Sequence, residues 1–338
     1  MVKRIIAIAF IFVCTAVAWA ILGGTIFSRT YESRSRLQGR VESTWGAPHV
    51  QKPPAASYTE SETRTVESVE DGRKVVRTAQ VRTVKALPLE SSRVQAGLEL
   101  DYRRKGLLWY STYKVAFSGL YVFRNATDAD RDVTFNLEFP AARAIYDNLV
   151  FTVDGRPVAL ASSESGASAV ARVGAGKTAP LAVAYRSQGL ESWRYNFGGA
   201  VSQVKDFNLR ITTNFKRIDF PDDTLSPSEK RETAAGWELV WNYKNLVSGF
   251  QIGLKMPERL QPGPVAGKIS LFAPVSLFFF FFLMLIITTM RGIELHPMNY
   301  FFLAAAFFSF HLLVAYLVDH ISIHAAFAVS SAVSILLV

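Results

Sequence analysis

Cysteine and histidine are scarce in this sequence of 338 residues, which has one cysteine and five histidines. Cys14 lies in an apolar run near the N-terminus, so the polar bulk of the chain has no disulfide. The long polar segment 28–268 contains a single histidine, His49. Nucleophilic catalysis normally needs a base, most often histidine, beside a serine or cysteine. A hydrolase of this type is therefore nearly excluded in that segment.

Other catalytic motifs are also missing. The stretch 173–178, Val-Gly-Ala-Gly-Lys-Thr, has a superficial likeness to a phosphate-binding loop but lacks its full spacing, so we predict an ordinary loop. The paired carboxylates Asp222 and Asp223 lie between Pro221 and Pro227, which indicates a turn. We predict no catalytic residues, no cofactor and no metal site, and therefore no enzyme.

What the sequence does have is four long apolar segments, at 5–27, 269–290, 300–318 and 321–338. A helix rises about 1.5 Å per residue and the hydrocarbon core of a bilayer is about 30 Å thick, so each is long enough, or nearly so, to span it. We predict a transmembrane anchor over 1–27 and a bundle over 269–338. A cleaved signal peptide is the alternative for the first segment, but the apolar run continues past any cleavage point.

The charged residues next to the apolar segments predict how the chain is oriented in the membrane. Lys3, Arg4 and Arg291 mark one side of the membrane as cytoplasmic, whereas the short loop at Asp319 has no lysine or arginine. Segment 28–268 then lies outside the cytoplasm. It holds 34 of the 37 Lys and Arg residues and 26 of the 28 Asp and Glu residues, interspersed along the chain. This spacing favours an ordinary soluble surface over a site for an acidic polymer or anionic lipid, and no nucleic-acid motif is present.

The outer segment has the alternation typical of β-strands. We predict hairpins over 64–84, around Asp71-Gly72, and over 149–158, around Asp154-Gly155. Seven further segments alternate or are rich in aromatic and β-branched residues: 94–102, 107–123, 133–139, 181–185, 207–211, 237–243 and 250–256. The pattern predicts a sandwich-like β domain over 63–268, after an irregular linker over 28–62 and with a Pro-rich hinge over 257–268.

Six residues at or in the predicted bundle are candidate functional positions: His296, Pro297, Tyr300, His311, Asp319 and His320. Pro297 suits the first turn of a helix, which would place His296 and Tyr300 at headgroup level. His311 lies within a span, where a hydrogen bond in the bundle is favoured over a proton relay. Asp319 and His320, with His324, fit an interfacial loop better than a metal site.

The stretch 295–300, Leu-His-Pro-Met-Asn-Tyr, resembles the CreD family of bacterial inner-membrane proteins. Segment 103–107, followed by Tyr110 and Tyr113, and segment 226–241 are similar to patterns in that family's periplasmic domain. The layout of one anchor, a large periplasmic domain and a C-terminal bundle is also similar. The periplasmic domain is shorter than is usual for the family. Members continue through further spans, so we expect a truncated or unusually short chain that stops at Val338.

The resemblance implies a protein of the bacterial inner membrane that is linked to cell-envelope integrity and to β-lactam and colicin responses, with no established enzymatic activity. We expect a mixed α and β membrane protein whose β domain binds a periplasmic protein or a cell-wall-associated ligand. The alternative is transport or handling of a small molecule or lipid by the C-terminal bundle. A membrane enzyme would need polar pairs in helices that this sequence does not contain. The lipid bilayer itself is an expected partner.

Overall fold

The computed structural model of the chain describes residues 2–70, 73–142, 144–198 and 202–337, without the side chains of 62–79, 202, 203 and 337. The chain divides into two compact units. The membrane unit comprises Met1–Arg40, Arg104–Trp109 and Arg259–Val338, and the β unit comprises Val41–Arg103 and Tyr110–Glu258.

Within the residues that the structure describes, the membrane unit has four helices: α1 (Val2–Trp45), α2 (Pro262–Met290), α3 (Pro297–Leu317) and α4 (Ile323–Leu337). The first three are long and apolar enough to cross a membrane, whereas α4 is a shorter apolar helix. Prolines occupy the first turns of α2 and α3, where a missing N–H leaves no hydrogen bond unmade. The four apolar segments predicted from the sequence therefore all form helices.

The bundle is held together by close packing of α1 against α2 and α3. Trp19 of α1 is fully buried and contacts the rings of Phe307 and Phe308 of α3, at centroid distances of 5.5 and 5.7 Å. A Cβ atom added at Gly23 would lie only 2.7 Å from the Leu271 side chain of α2. Small residues allow this approach because, in lipid, helices associate through van der Waals packing rather than through hydrophobic burial.

The described residues contain sixteen strands, all of which lie wholly or mainly in the β unit. They are β1 (His49–Gln51), β2 (Ala55–Glu70), β3 (Arg73–Ala86), β4 (Leu89–Lys105), β5 (Leu108–Arg124), β6 (Arg131–Glu138), β7 (Tyr146–Val153), β8 (Arg156–Pro157), β9 (Ala161–Ser162), β10 (Gly166–Val173), β11 (Thr178–Leu190), β12 (Ser192–Tyr195), β13 (Ser202–Thr213), β14 (Glu229–Glu232), β15 (Trp237–Ser248) and β16 (Ile252–Lys255).

The strands form three sheets in the described part of the chain. An eight-stranded sheet has the order β14-β15-β13-β4-β5-β11-β7-β8, a five-stranded sheet the order β3-β2-β6-β10-β9, and a small sheet the order β1-β12-β16. One apolar core includes residues from all three, and Phe123 of β5 meets Phe135 of β6 edge to face at 5.7 Å. The predicted fold class is confirmed as a mixed α and β membrane protein, with a β-sheet domain that lies in the sequence between an N-terminal and several C-terminal apolar helices.

Both predicted hairpins are present. Strands β7 and β8 pair across Asp154 and Gly155, whose φ angles of 51° and 71° are those that a tight hairpin turn requires. Strands β2 and β3 pair along their length, from Ser57 opposite Ala86 to Glu70 opposite Arg73. The turn residues Asp71 and Gly72 lie outside the described residues.

Segment 28–62 differs from the irregular linker expected from its polar composition. Helix α1 continues to Trp45, and β1 and the start of β2 follow. A helix needs no apolar run once it leaves the membrane, which is why hydropathy did not reveal this extension. The expected hinge over 257–268 is also shorter, because α2 begins at Pro262. Strand β10 was not predicted, since its alternating alanines and serines are a weak strand signal.

Candidate functional site

The stretch 295–300 forms the N-terminal cap of α3. His296 is the N-cap residue, and its Nδ1 accepts a hydrogen bond from the Met298 N–H at 3.3 Å. Pro297 occupies the first helical position. Tyr300 is fully buried and meets the ring of Phe281 edge to face at 5.1 Å. His296 and Pro297 therefore define where the helix begins, and Tyr300 anchors it to α2.

His311 lies in an aromatic environment inside the bundle. Its Nδ1 is 2.9 Å from the Phe307 carbonyl oxygen, one turn earlier in α3. The rings of Trp19, Phe307 and Phe310 surround it at centroid distances of 5.6, 4.8 and 5.0 Å. A histidine bonded to its own helix and enclosed by aromatic rings is typical of a packed interior residue.

Asp319, in the loop between α3 and α4, forms an ion pair with Arg29 of α1 at 2.8 Å, and only 13% of its side chain is exposed. Its backbone carbonyl also accepts a hydrogen bond from Arg104 at 3.3 Å. His320 does not join this contact and packs near Tyr316 at 5.1 Å. In the described part of the chain no three His, Cys, Asp or Glu residues are grouped as metal ligands.

The tip of the β4–β5 hairpin belongs to the membrane unit. Trp109 exchanges two backbone hydrogen bonds with the Gln261 side chain at the start of α2, at 3.0 and 2.7 Å, and the Arg259 guanidinium stacks 3.9 Å above its ring. Lys105 donates a hydrogen bond to the Arg40 carbonyl of α1 at 2.9 Å.

At the opposite end of the unit, Arg4 of α1 contacts Thr288 of α2 at 3.5 Å. Arg29, Trp109, Gln261 and Asp319 therefore mark a single end of the bundle.

His49 of β1 is a buried titratable residue of the β unit. It is fully buried and lies against Tyr113 at 5.7 Å, and neither ring nitrogen makes a hydrogen bond of standard geometry within the described residues. Burial lowers the pKa of His49 to about 4, and the Gln188 backbone offsets this only in part. The imidazole is thus neutral at physiological pH.

Buried tyrosines surround this point. Tyr185 donates a hydrogen bond to Gln51, and Tyr113 donates one to the Ser192 carbonyl at 2.8 Å. Burial raises the pKa of both hydroxyls well above the ordinary value. These groups therefore remain neutral hydrogen-bond donors, and their contacts are those of a polar core rather than of an acid–base pair.

Residues of the segments that resemble a known family also have structural contacts. Tyr110 packs near Trp45 at 6.1 Å, and Arg103 lies over the same Trp45 ring at 5.9 Å. In segment 226–241, Trp241 is fully buried and its Nε1 donates to the Leu225 carbonyl at 2.8 Å. These residues therefore contribute to packing within the β unit.

The β unit also carries an open groove of about 730 Å³ on the solvent face of the eight-stranded sheet. Its walls come from five strands, β13, β4, β5, β11 and β7, and from the loop before β7. Sequence reasoning missed this groove because no single segment contains it. It exists only once the strand order and register bring these segments together.

The helices and sheets define a class of protein: a multi-span membrane protein with a β-sheet domain inserted between its first and second helices. A family model described as inner membrane protein CreD matches residues 1–338. The chain belongs to the CreD family of inner-membrane proteins. A comparison with curated proteins finds no match.

Among solved structures, one similar chain is a protein from Legionella pneumophila subsp. pneumophila str. Philadelphia 1 that was proposed to bind a nutrient. Its identity is 11%, its TM-score 0.36, and the match covers 54% of this chain and 72% of that one. An M1 zinc metallopeptidase from Deinococcus radiodurans is 10% identical with a TM-score of 0.31, over 51% of this chain and 42% of that one. Likeness at this level supports no argument about function.

Proposed function

We propose that this protein is a non-enzymatic component of the bacterial inner membrane that supports cell-envelope integrity, and that its β unit binds a partner in the periplasm. The N-terminus and the α2–α3 loop lie in the cytoplasm, as the flanking Lys3, Arg4 and Arg291 indicate. The partner is a periplasmic protein or a cell-wall-associated ligand.

The observation that carries the proposal is the placement of Arg29, Trp109, Gln261 and Asp319 at one end of the membrane unit. The chain leaves the bundle toward the β unit through α1 and returns through α2 at that same end. The whole β unit is therefore inserted on one side of the membrane, and family membership places the protein in the inner membrane. Transport by the bundle has less support, because His311 is enclosed by aromatic rings.

Photo-cross-linking in living cells tests the proposal. A photoreactive amino acid replaces Ile145 or Val170 in the full-length chain, since these β-unit side chains are 80% and 61% exposed. We expect the same envelope component to be cross-linked in repeated experiments, and no such product from the matched position Met290 at the end of α2. Cross-linking to lipid alone from all three positions would contradict the proposal.

A further inference from the structure

The excess positive charge of the chain is concentrated in the membrane unit. Of the 37 Lys and Arg and 28 Asp and Glu residues, the membrane unit holds 11 and 3, which leaves 26 and 25 for the β unit. The net charge is therefore +8 for the membrane unit and +1 for the β unit. In the sequence alone, the interspersed charges of segment 28–268 favour an ordinary soluble surface. The division into units shows instead that the excess lies beside the apolar helices, where a bilayer is the nearest partner.

Most of this excess lies at one end of the membrane unit, which we call the outer end and which Arg29 and Asp319 mark. Its two acidic residues are Glu32 and Asp319, and its eight basic residues are Arg29, Arg34, Arg36, Arg40, Arg104, Lys105, Arg259 and Lys268. The other end has three basic residues and one acidic residue, which are Lys3, Arg4, Arg291 and Glu294. Two carboxylates cannot neutralise eight cations, whichever of them they contact.

The contacts of Asp319 show how the excess arises. Its carboxylate pairs with Arg29 at 2.8 Å. Arg104 reaches the same residue but donates to the Asp319 backbone carbonyl at 3.3 Å, and its Nε donates to the Gly106 carbonyl at 3.1 Å. Arg104 is exposed and, within the described residues, forms no ion pair with a carboxylate. Two guanidinium groups therefore meet one carboxylate, and a positive charge remains at the surface.

Lys268 extends from α2 at the edge of the apolar layer. The preceding residue, Gly267, faces the ring of Phe27 at the end of the apolar run of α1, and an added Cβ would lie 3.0 Å from that ring. Lys268 is exposed and makes no ion pair in the part of the chain that the structure describes. A lysine at this depth keeps its aliphatic stem in the apolar layer and extends its ammonium group to the level of the phosphates.

Apolar and aromatic side chains accompany these cations. Leu107 and Leu260 are 38% and 80% exposed, and the Arg259 guanidinium stacks 3.9 Å above the ring of Trp109. Tryptophan is enriched at the headgroup level of a bilayer, and a cation–π contact holds the guanidinium beside it. Exposed leucines next to cations suit a phospholipid, which has both acyl chains and a phosphate. A soluble anion would gain nothing from the leucines.

We propose that the outer end of the membrane unit binds the headgroups of anionic phospholipids, with Arg104 and Lys268 as phosphate-binding cations. Phosphatidylglycerol carries a net negative charge, whereas phosphatidylcholine is zwitterionic and offers the cations no net attraction. Each basic residue near an anionic membrane surface strengthens binding about fivefold. This lipid site lies within the membrane unit and is separate from the partner-binding role proposed for the β unit.

Thermal unfolding of the full-length protein in a neutral detergent tests the proposal, with dioleoyl-phosphatidylglycerol or dioleoyl-phosphatidylcholine added. The two lipids have the same acyl chains and differ in the headgroup. We expect phosphatidylglycerol to half-saturate the rise in unfolding temperature at a concentration at least about 10-fold lower, with the difference shrinking as salt is added. Equal effects of the two lipids would overturn the proposal. An equal rise with inorganic phosphate would show a site for a soluble anion and would also overturn it.

Two double variants locate the site. Arg104→Gln with Lys268→Gln removes two exposed cations from the outer end, and Lys3→Gln with Arg291→Gln removes two exposed cations from the other end. We expect the first pair to reduce the preference for phosphatidylglycerol at least about 10-fold and the second to retain most of it. Equal losses would show that net charge alone causes the preference and would contradict the proposal.

Unfolding temperatures in phosphatidylcholine show whether the variants fold. Lys268→Gln alone removes no hydrogen bond or ion pair among the described residues, so it tests the site even if the double variant is unstable. We expect it to reduce the preference about fivefold, whereas Lys3→Gln should not. An unchanged preference in a folded Lys268→Gln protein would exclude this residue and, with it, the proposed site. The in-cell cross-linking of the β unit does not depend on this outcome.

Discussion

At the scale of single residues, His49 is the position where burial has the clearest consequence. Its ring is fully buried at the junction between α1 and β1, beside Tyr113 and the Gln188 backbone. The chain reaches this point through Gly46, whose φ of 97° and contact with the Gln188 carbonyl leave no room for a Cβ atom. Protonation of His49 would place an unpaired charge in this close-packed junction.

We predict that the β unit loses stability as the pH falls from about 6.5 toward 4. Above pH 6.5, His49 is neutral in both the folded and the unfolded chain. Below that pH the unfolded chain binds a proton at His49, whereas the folded chain does not, because its His49 has a pKa of about 4. The full loss is about 3 kcal/mol, reached near pH 4. Thermal unfolding of the full-length protein in detergent between pH 7.5 and 4 measures it.

The matched variants for this prediction are His49→Gln and His296→Gln. The first removes the titrating group and should flatten the pH dependence, even if it lowers the stability at neutral pH. The second removes the exposed helix cap of α3 and should leave the slope of the β-unit transition unchanged. An equally steep pH dependence in His49→Gln would show that other groups cause it.

At the scale of elements, the contact between α1 and α2 offers a comparison of adjacent glycines. A Cβ atom at Gly23 would lie 2.7 Å from the Leu271 side chain, whereas one at Gly24 meets nothing within 4 Å. We predict that Gly23→Leu separates the two helices and destabilises the bundle by about 1–3 kcal/mol. Gly24→Leu should be neutral or slightly stabilising, because leucine favours the helix more than glycine does.

Thermal or denaturant unfolding of the membrane unit in one detergent measures the difference in stability between the two variants. The comparison requires that both variants give nearly the same yield of folded protein. Comparable effects of the two substitutions would mean that the close approach of α1 and α2 at Leu271 does not contribute to stability.

The helices and strands also show how far the sequence predicts this fold. Charge-free apolar runs predicted α2 and α3 to within a few residues at their C-terminal ends, since a membrane span requires such a run. The extension of α1 to Trp45 could not be found this way, because its residues are polar. Alternation revealed β4 and β6 but not the Ala- and Ser-rich β10.

The candidate site was predicted less completely. Pro297 at the start of α3 follows from local helix chemistry, and the structure has it there. The ion pair between Arg29 and Asp319 joins residues far apart in the sequence and leaves no local signal. The same holds for the groove, because its lining comes from β13, β4, β5, β11 and β7 and depends on how these strands pair.

At the scale of the whole molecule, the account depends on which side of the membrane holds the β unit. Both connections to that unit leave the bundle at the end where Arg29 pairs with Asp319. Arg4 and Thr288 mark the opposite end, close to Arg291 in the sequence. We propose that the first end is periplasmic and the second cytoplasmic.

Labelling of single cysteines in intact spheroplasts tests this claim most directly. In a Cys14→Ala background, Asp128→Cys places an exposed thiol in the β unit and Ile293→Cys places one in the α2–α3 loop. We predict that a membrane-impermeant maleimide labels Asp128→Cys at once and labels Ile293→Cys only after the membrane is permeabilised. The reverse pattern would place the β unit in the cytoplasm and contradict the proposed role in the envelope.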